Sequence, residues 1–412
     1  MKINICPNNY ISRSLTRLLL LFVVALLCPA VHGANPERIK IEKGPYLQAV
    51  GENEFTVCWR TNMNSVGWIE IAPADGTHFY KKVRPKYFDS TFGRKNIGRF
   101  HKVRITGLEP GKTYRYRVMQ NSVLLDEDYT RIIYGEGFGS DILAHKPYQV
   151  TTLDPARKSV KFAVGNDFHE KDSVLCSVFA DARRKGYDFV MFNGDMTTRM
   201  KNEDYIFDNY LQSASVLFAS DIPLYMNRGN HENRGSFATH FMDLFPTLTG
   251  APYYTFRQGP VFFLVIDSAE DKPDNDIRNL DIMCQDEYRA QELEWLKGVL
   301  ASAEFKNAPV RIVFMHMPPD GRPGSWYGTQ YLNDNFMPLL NEAGIDLMLS
   351  GHYHSYKFLP EGSDGYNNAF PIIIHDDAVL LEAEADENGI KVVTYDSNQN
   401  PEHKHEFPVN RK

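Results

Sequence analysis

Cysteine is scarce in this 412-residue chain, and two of its five cysteines, Cys6 and Cys28, fall in the first 33 residues. The other three, Cys58, Cys176 and Cys284, are odd in number and widely spaced. That excludes a disulfide framework and a CxxC metal motif, and all three read as buried apolar thiols. A basic excess is also missing. The formal charge is −7 and the isoelectric point is near 6.0, which leaves no electrostatic footprint for nucleic-acid binding. The apolar run Leu18–Leu27 is too short to span a bilayer as a mature helix. No Gly-x-Ser-x-Gly elbow, P-loop lysine or internal repeat is present, so a protein nucleophile of those kinds is not indicated. With 43% hydrophobic and 24% charged residues, disordered and low-complexity classes are excluded, and two globular domains are expected.

The start of the chain has the layout of an export signal. Lys2, Arg13 and Arg17 precede the apolar run, and Val31-His32-Gly33 offers small residues for cleavage before Ala34. Residues 1–33 are therefore expected to be a signal peptide, and the protein periplasmic or secreted with no membrane span after cleavage. A short membrane anchor is the alternative. Lipidation at Cys28 is disfavoured because Leu27 stands where a small residue is needed.

Residues 34–152 read as all-β. Phe55-Thr56-Val57-Cys58-Trp59, Gly67–Ile71, His101–Ile105 and Tyr114–Val118 alternate with period two and are rich in β-branched and aromatic residues. Trp59 and Trp68 fall on inward positions. Lys81–Asn96 and the stretch around Gly135–Asp141 look like long loops. The run Leu108–Val118, with Gly44-Pro45-Tyr46-Leu47-Gln48, resembles a fibronectin type III-like β-sandwich of the kind that precedes purple acid phosphatase catalytic domains.

From residue 153 to 412 strand-like and helical runs alternate, the mark of α/β architecture. Polar residues cluster after the strands: Asp167-Phe168-His169, Gly194-Asp195, Gly229-Asn230-His231-Glu232, His316 and Gly351-His352-Tyr353-His354. Ligands in open α/β sheets bind beyond the carboxyl ends of strands, so five such clusters point at one pocket. Imidazole and carboxylate donors suit zinc, iron or manganese. Asp167, His169, Asp195, Asn230, His316, His352 and His354 are too many for one tetrahedral ion, so two metal ions are expected.

Taken in this order, the five blocks resemble the signature of calcineurin-like metallophosphoesterases. The resemblance implies a four-layer αββα sandwich with two mixed sheets. It implies that Asp167, His169 and His354 hold one metal, that Asn230, His316 and His352 hold the other, and that Asp195 bridges them. His231 matches the histidine that meets the scissile phosphate and either stabilises its oxygens or protonates the leaving group. Glu232 either orients its neighbours or is structural. Purple acid phosphatases carry Asp-x-Gly in the first block and a metal-binding tyrosine three residues after the second-block Asp. Here His169 and Thr198 occupy those places, so no tyrosinate-to-iron colour is expected.

The activity implied is hydrolysis of a small phosphate monoester by a metal-bound hydroxide. A phosphodiesterase or nucleotidase with the same centre is the alternative, and a non-catalytic surface-binding protein a remote one. Arg228, Arg199 and Arg234 flank the blocks and either bind substrate phosphate or form structural ion pairs. Pro319–Tyr331, with Arg322, Trp326 and Tyr327, either lines the substrate cleft or packs on the other domain. His375 either faces the pocket or sits in a loop or the core. His403 and His405 read as solvated, and Trp295 as core. The oligomeric state is not legible.

Overall fold

The computed structural model describes residues 37–127 and 131–409. The expected signal peptide lies outside the described residues. Among the described residues no helix is long and apolar enough to cross a membrane.

The first part is all-β, as the sequence pattern requires. Its strands are β1 (Ile41–Gln48), β2 (Glu54–Pro73), β3 (Lys86–Phe88), β4 (Ser90–Thr91), β5 (Arg94–Lys95), β6 (Gly98–Thr106), β7 (Thr113–Glu127), β8 (Arg131–Gly139) and β9 (Tyr148–Thr151). Seven of them form one antiparallel sheet, and β4 and β5 make a separate two-stranded hairpin. Strand β2 is the organiser. Its first half pairs with β1 and β6 (Thr56 opposite Gln48, Phe55 opposite Ile105). Its second half pairs with β7 and β3 (Ile69 opposite Val118 and Tyr87). A register shift between Arg60 and Ser65 marks the change of partners, the local twist that an irregular strand introduces. Phe55, Val57, Trp59, Ile69 and Val118 are fully buried, and Trp68 nearly so.

Two segments that read as loops contain strands. Lys81–Asn96 holds β3 to β5, and Gly135–Asp141 opens on the end of β8. Strand β8 is mostly exposed and carries Gly135, Gly137 and Gly139. It therefore lacks the buried alternate face on which a period-two signal depends.

The second part is built on two mixed six-stranded sheets. Its strands are β10 (Ser159–Gly165), β11 (Phe189–Asn193), β12 (Leu224–Asn227), β13 (Tyr254–Gln258), β14 (Val261–Ile266), β15 (Val310–Met315), β16 (Leu347–Ser350), β17 (Lys357–Leu359), β18 (Ile372–Ile374), β19 (Leu381–Asp386), β20 (Gly389–Tyr395) and β21 (Pro401–Pro408). One sheet runs β12-β11-β10-β19-β20-β21, the other β13-β14-β15-β16-β18-β17. Strands β10 to β12 are parallel in the first. So are β14, β15, β16 and β18 in the second.

The sheets meet on aromatic rings. Phe162 lies 4.9 Å from Phe189 and 5.3 Å from Phe263, and Tyr225 stacks on Phe256 at 4.0 Å. Outside the first sheet pack the helix Asp172–Val178 and the helical stretch from Glu203 to Ala219, interrupted by two π turns. Outside the second pack the helices Gln285–Ala301, Tyr327–Asn335 and Met337–Ala343. The result is the expected four-layer α/β arrangement.

The two parts share one hydrophobic core, which runs from Leu47, Val57 and Trp59 to Phe162, Phe263 and Leu349. Three buried tyrosines tie them further. The hydroxyl of Tyr46 donates to the Leu244 carbonyl (2.8 Å), that of Tyr116 to Ser220 (2.6 Å) and that of Tyr225 to Val50 (2.6 Å). Arg60 adds ion pairs to Glu203 (2.8 Å) and Asp204 (2.6 Å).

The C-terminal histidines are not simply solvated. His403 and His405 lie on the edge strand β21, which the sequence reading did not anticipate. His403 stacks on Tyr356 at 3.7 Å, and His405 packs on Phe358 at 4.5 Å. The three thiols are free but not uniformly buried: Cys58 is buried, Cys176 partly so, and Cys284 is exposed. Cys284 directly precedes the helix Gln285–Ala301, where position and not apolarity decides its exposure. Trp295 is only half-buried, against Tyr253 at 4.7 Å.

Candidate metal centre

All five polar clusters leave the carboxyl ends of parallel strands. Asp167 and His169 follow β10, Asp195 follows β11, Asn230 and His231 follow β12, His316 follows β15, and His352 and His354 follow β16. Backbone hydrogen bonds lash these loops together. The Asp167 amide donates to Gly194, the His169 amide to Asp195 and the Gly351 amide to His316 (3.0, 3.2 and 2.8 Å). Asp167, His169, Asp195, His352 and His354 all have positive φ, between 44° and 74°. Side chains other than glycine reach that region at a cost, and such strain concentrates at functional sites. Glycine serves where space runs out: a Cβ on Gly194 would lie 2.4 Å from His316 Nδ1.

Two groups of donor atoms result. In one, His354 Nε2 lies 3.1 Å and His169 Nε2 3.7 Å from Asp167 Oδ1, and the two imidazole nitrogens are 3.2 Å apart. In the other, His316 Nε2 lies 3.1 Å from Asp195 Oδ2, with His352 beside them. Asp195 Oδ2 also faces His169 Nε2 (4.0 Å) and His231 Nε2 (3.9 Å), so it stands between the groups.

The chemistry of this set fits cations. Asp167 Oδ1 is buried without a hydrogen-bond partner, a costly state for an anionic oxygen unless a positive charge meets it. The Asn230 amide lies 3.0 Å from His352 Nδ1 and 3.3 Å from Asp195 Oδ2; its nitrogen donates to both when its oxygen accepts from Arg234 Nη2 (3.0 Å), and its oxygen becomes a cation donor when the amide is turned the other way. His316 Nδ1 is 2.7 Å from the Asn193 carbonyl. A carbonyl only accepts, so Nδ1 carries a proton and Nε2 is the nitrogen turned toward Asp195, the orientation that outer support gives a metal-binding histidine.

The acids and imidazoles of this set are strongly coupled. Burial opposes ionisation of Asp167, but the charge of His316 and hydrogen bonds from neighbouring groups hold its pKa well below the carboxylate range. Asp195 is likewise buried, and His316 takes it down to about 2. Burial penalises protonated His316, yet Asp195 and Asp167 carry it up to about 10. His352 is pushed down to about 4 by burial and by the charge of His316.

His231 stands at the edge of this centre. Its Nδ1 donates to the Thr198 carbonyl at 2.8 Å, and its Nε2 lies 3.1 Å from Arg234 Nη1. Burial lowers its pKa despite nearby Asp195. Arg234 is itself held by Glu270 (2.9 and 2.6 Å) and Asp271 (3.1 Å), which leaves Nη1 toward His231. Arg228, by contrast, is engaged by an acid. It is bound to buried Asp267 (2.6 Å), which also accepts from Tyr288, the ion-pair alternative of the two that the sequence offers. Arg199 is exposed beside Thr198. Thr198, in the tyrosine position, bonds Glu170 through its hydroxyl (2.7 Å).

Three supporting residues complete the site. Glu232 accepts from the amides of Gly229, Asp195 and Met196, each at 2.9 Å, so one buried carboxylate ties the β11 and β12 loops. Burial and Asp195 raise its pKa to about 7. Asn166 donates to Asp167 Oδ2 (2.7 Å), and its own carbonyl oxygen faces His375 Nδ1 (2.7 Å). His375 is thus a core residue behind the site. Asn166 went unnoticed in the sequence, where its place next to Asp167 was the available signal. The Pro319–Tyr331 segment, expected as a loop, runs into the helix Tyr327–Asn335 and leaves Trp326 46% exposed.

Residues 160–356 match the calcineurin-like phosphoesterase family, and residues 43–130 match the purple acid phosphatase N-terminal domain. Among curated proteins, the chain is 21% identical over 327 residues to purple acid phosphatase 21 of Arabidopsis thaliana, covering 76% of this chain and 65% of that one. It is 27% identical over 217 residues to the mouse serine/threonine-protein phosphatase CPPED1, covering 50% of this chain and 63% of that one. The chain thus spans just under two thirds of the length of these relatives. Among solved structures, the purple acid phosphatase PPD1 from yellow lupin (Lupinus luteus) seeds superposes with a TM-score of 0.61 at 14% identity, covering 91% of this chain and 75% of that one.

Proposed function

We propose, from the calcineurin-like phosphoesterase domain over residues 160–356 and the purple acid phosphatase N-terminal domain over residues 43–130, that this chain is an exported two-metal phosphatase acting on small phosphate monoesters. One observation carries the reading: the carboxylates of Asp167 and Asp195 converge with the imidazole nitrogens of His169, His316, His352 and His354, with Asp167 Oδ1 buried and unpaired and Asp195 between the two groups. Asp167, His169 and His354 would hold one ion and Asn230, His316 and His352 the other, with Asp195 placed within reach of both groups. When bound, two such ions supply Lewis acidity, neutralising the phosphate oxygens and making water a better nucleophile near neutral pH.

The chain's own groups do the rest. Asn166 and the His352 amide (2.9 Å) fix Asp167 Oδ2, so that Oδ1 is the oxygen offered to the centre. Glu232 sets the spacing of the Asp195 and Asn230 loops. Arg234 Nη1 and His231 Nε2 form a polar edge for a phosphate oxygen. An anion arriving there raises the proton affinity of His231, and Nε2 is the atom that holds that proton for the leaving oxygen. Thr198, through its carbonyl, keeps His231 in the tautomer this role requires. Export rests on the basic and apolar order of residues 1–33.

The test is steady-state hydrolysis of p-nitrophenyl phosphate and bis(p-nitrophenyl) phosphate with Mn(II) or Zn(II), and with chelator. The monoester is expected to turn over faster and to lose its turnover to the chelator. His231→Gln is expected to lower kcat by about 10²-fold while two ions per chain remain bound. Preference for the diester would replace the monoesterase reading with a phosphodiesterase one, and chelator-resistant turnover would refute the two-metal reading.

A further inference from the structure

Beside the centre lies an open cleft of about 470 Å³, lined by Asp320, Arg322, Trp326, Tyr353, Lys357 and neighbouring residues. Tyr353 sits in the chain between His352 and His354, and its ring centroid is 5.5 Å from that of His352. The cleft therefore begins one side chain away from the centre. We propose that it is a leaving-group subsite selecting phosphate esters whose alcohol carries a planar ring and a second negative charge. The proposal rests on the phosphatase reading above.

The charge pattern supplies the anion preference. Asp320 is the cleft's carboxylate, and it is already neutralised. It is bound by Arg322 (2.9 and 2.6 Å) and by the Tyr353 hydroxyl (2.6 Å), which keep its pKa near 2 against the effect of burial. Lys357 has no carboxylate within ion-pair distance among the described residues. Its ammonium lies 4.7 Å from the Tyr353 ring centroid. The cleft thus holds one surplus cation, fixed over an aromatic face on the short strand β17.

The ring preference comes from Trp326. It is 46% exposed, and Lys272 and Arg278 lie 5.5 and 5.9 Å from its ring centroid. Both cations are committed to acidic neighbours, Lys272 to Glu270 and Asp271, and Arg278 to Asp276. They hold the indole in place, and much of its surface is left for stacking. A large exposed indole beside a polar cleft is a surface for another planar group. The reaction itself is unchanged. A water oxygen bonds to phosphorus, the bond from phosphorus to the leaving oxygen breaks, and the water's proton passes to the leaving oxygen.

Two sources share this chemistry, an aryl ester with a carboxylate and a nucleotide with a second phosphate. The full chain, loaded with Mn(II), is assayed on glycerol 2-phosphate, phenyl phosphate, 4-carboxyphenyl phosphate and adenosine 3′,5′-bisphosphate. At least one of the last two is expected to exceed phenyl phosphate by tenfold or more in kcat/KM, and which of them does so identifies the source. Lys357→Met is expected to abolish that tenfold ratio. Trp326→Ala is expected to reduce the ratio of phenyl phosphate to glycerol 2-phosphate by fivefold or more. Hydrolysis of all four within threefold of one another, or ratios that neither variant moves, overturns the subsite and leaves the phosphatase reading standing. Hydrolysis of none, glycerol 2-phosphate included, overturns both.

Discussion

Gly229→Ala is the sharpest single perturbation of the centre. The φ of Gly229 is not in the left-handed region, so the added methyl introduces no backbone strain, only bulk. Its Cβ would lie 2.2 Å from Asp195 Oδ1 and 2.6 Å from the Asp195 amide nitrogen. Normal contact, at about 3.5 Å, requires about 1 Å or more beyond each of these. The carboxylate that stands between the two donor groups must retreat by that amount, and its bond from the His231 amide (2.9 Å) is lost with it. Overpacking of this kind costs about 1–3 kcal/mol. A 1 Å misplacement at a reacting centre costs about 10²-fold in rate. Gly298→Ala is the control: it lies exposed in the helix Gln285–Ala301 with nothing within 4 Å of the new Cβ. It is expected to gain about 0.5–1 kcal/mol. Metal content by emission spectroscopy, kcat on p-nitrophenyl phosphate and Tm by calorimetry are read for both. A Gly229→Ala protein that binds two ions and turns over within threefold of the parent would refute the placement of Asp195.

Two further outcomes follow from groups behind the site and between the two parts. Burial pushes His375 down to about 4 from an ordinary 6.5, so the unfolded chain takes up this proton first as pH falls. The stability it contributes is complete above pH 6.5 and is lost as pH drops from there toward 4, about 3 kcal/mol in all. Urea titrations at pH 7.5 and 4.5 are expected to show a larger loss for the parent than for His375→Gln, and equal losses would disprove the linkage. Tyr46→Phe and Tyr116→Phe strip the buried carbonyls of Leu244 and Ser220 of a donor, at about 1–3 kcal/mol each. Because the two parts share a core, each variant should still unfold in one calorimetric transition at lower Tm; two separated transitions would contradict that.

What the sequence made legible was what is local. Each polar block sits within a few residues of its strand, so the ends of β10, β11, β12, β15 and β16 were readable, and the donors they carry do converge. Relations across the chain were not legible. Arg228 and Arg234 look alike beside Asn230, yet Asp267 engages one while Glu270 leaves the other with a nitrogen at His231. The link from His375 through Asn166 to Asp167 spans 209 residues, and only the sheet order brings it together. Strands β8 and β21 escaped notice because they lack a buried apolar face. β8 is glycine-rich and exposed, and β21 alternates charged residues with His403, His405 and Phe407 along a sheet edge.

The positive φ angles at Asp167, His169, Asp195, His352 and His354 bear on the protein's history as well as its chemistry. Each costs about 1–3 kcal/mol relative to a residue at ease in that conformation. Glycine at any of them would relieve that cost and remove a donor in the same step. Loss of function is therefore thermodynamically downhill in this fold. A lineage released from selection for the activity would be expected to keep its sheets and gain stability while its metal-binding loops drift toward glycine.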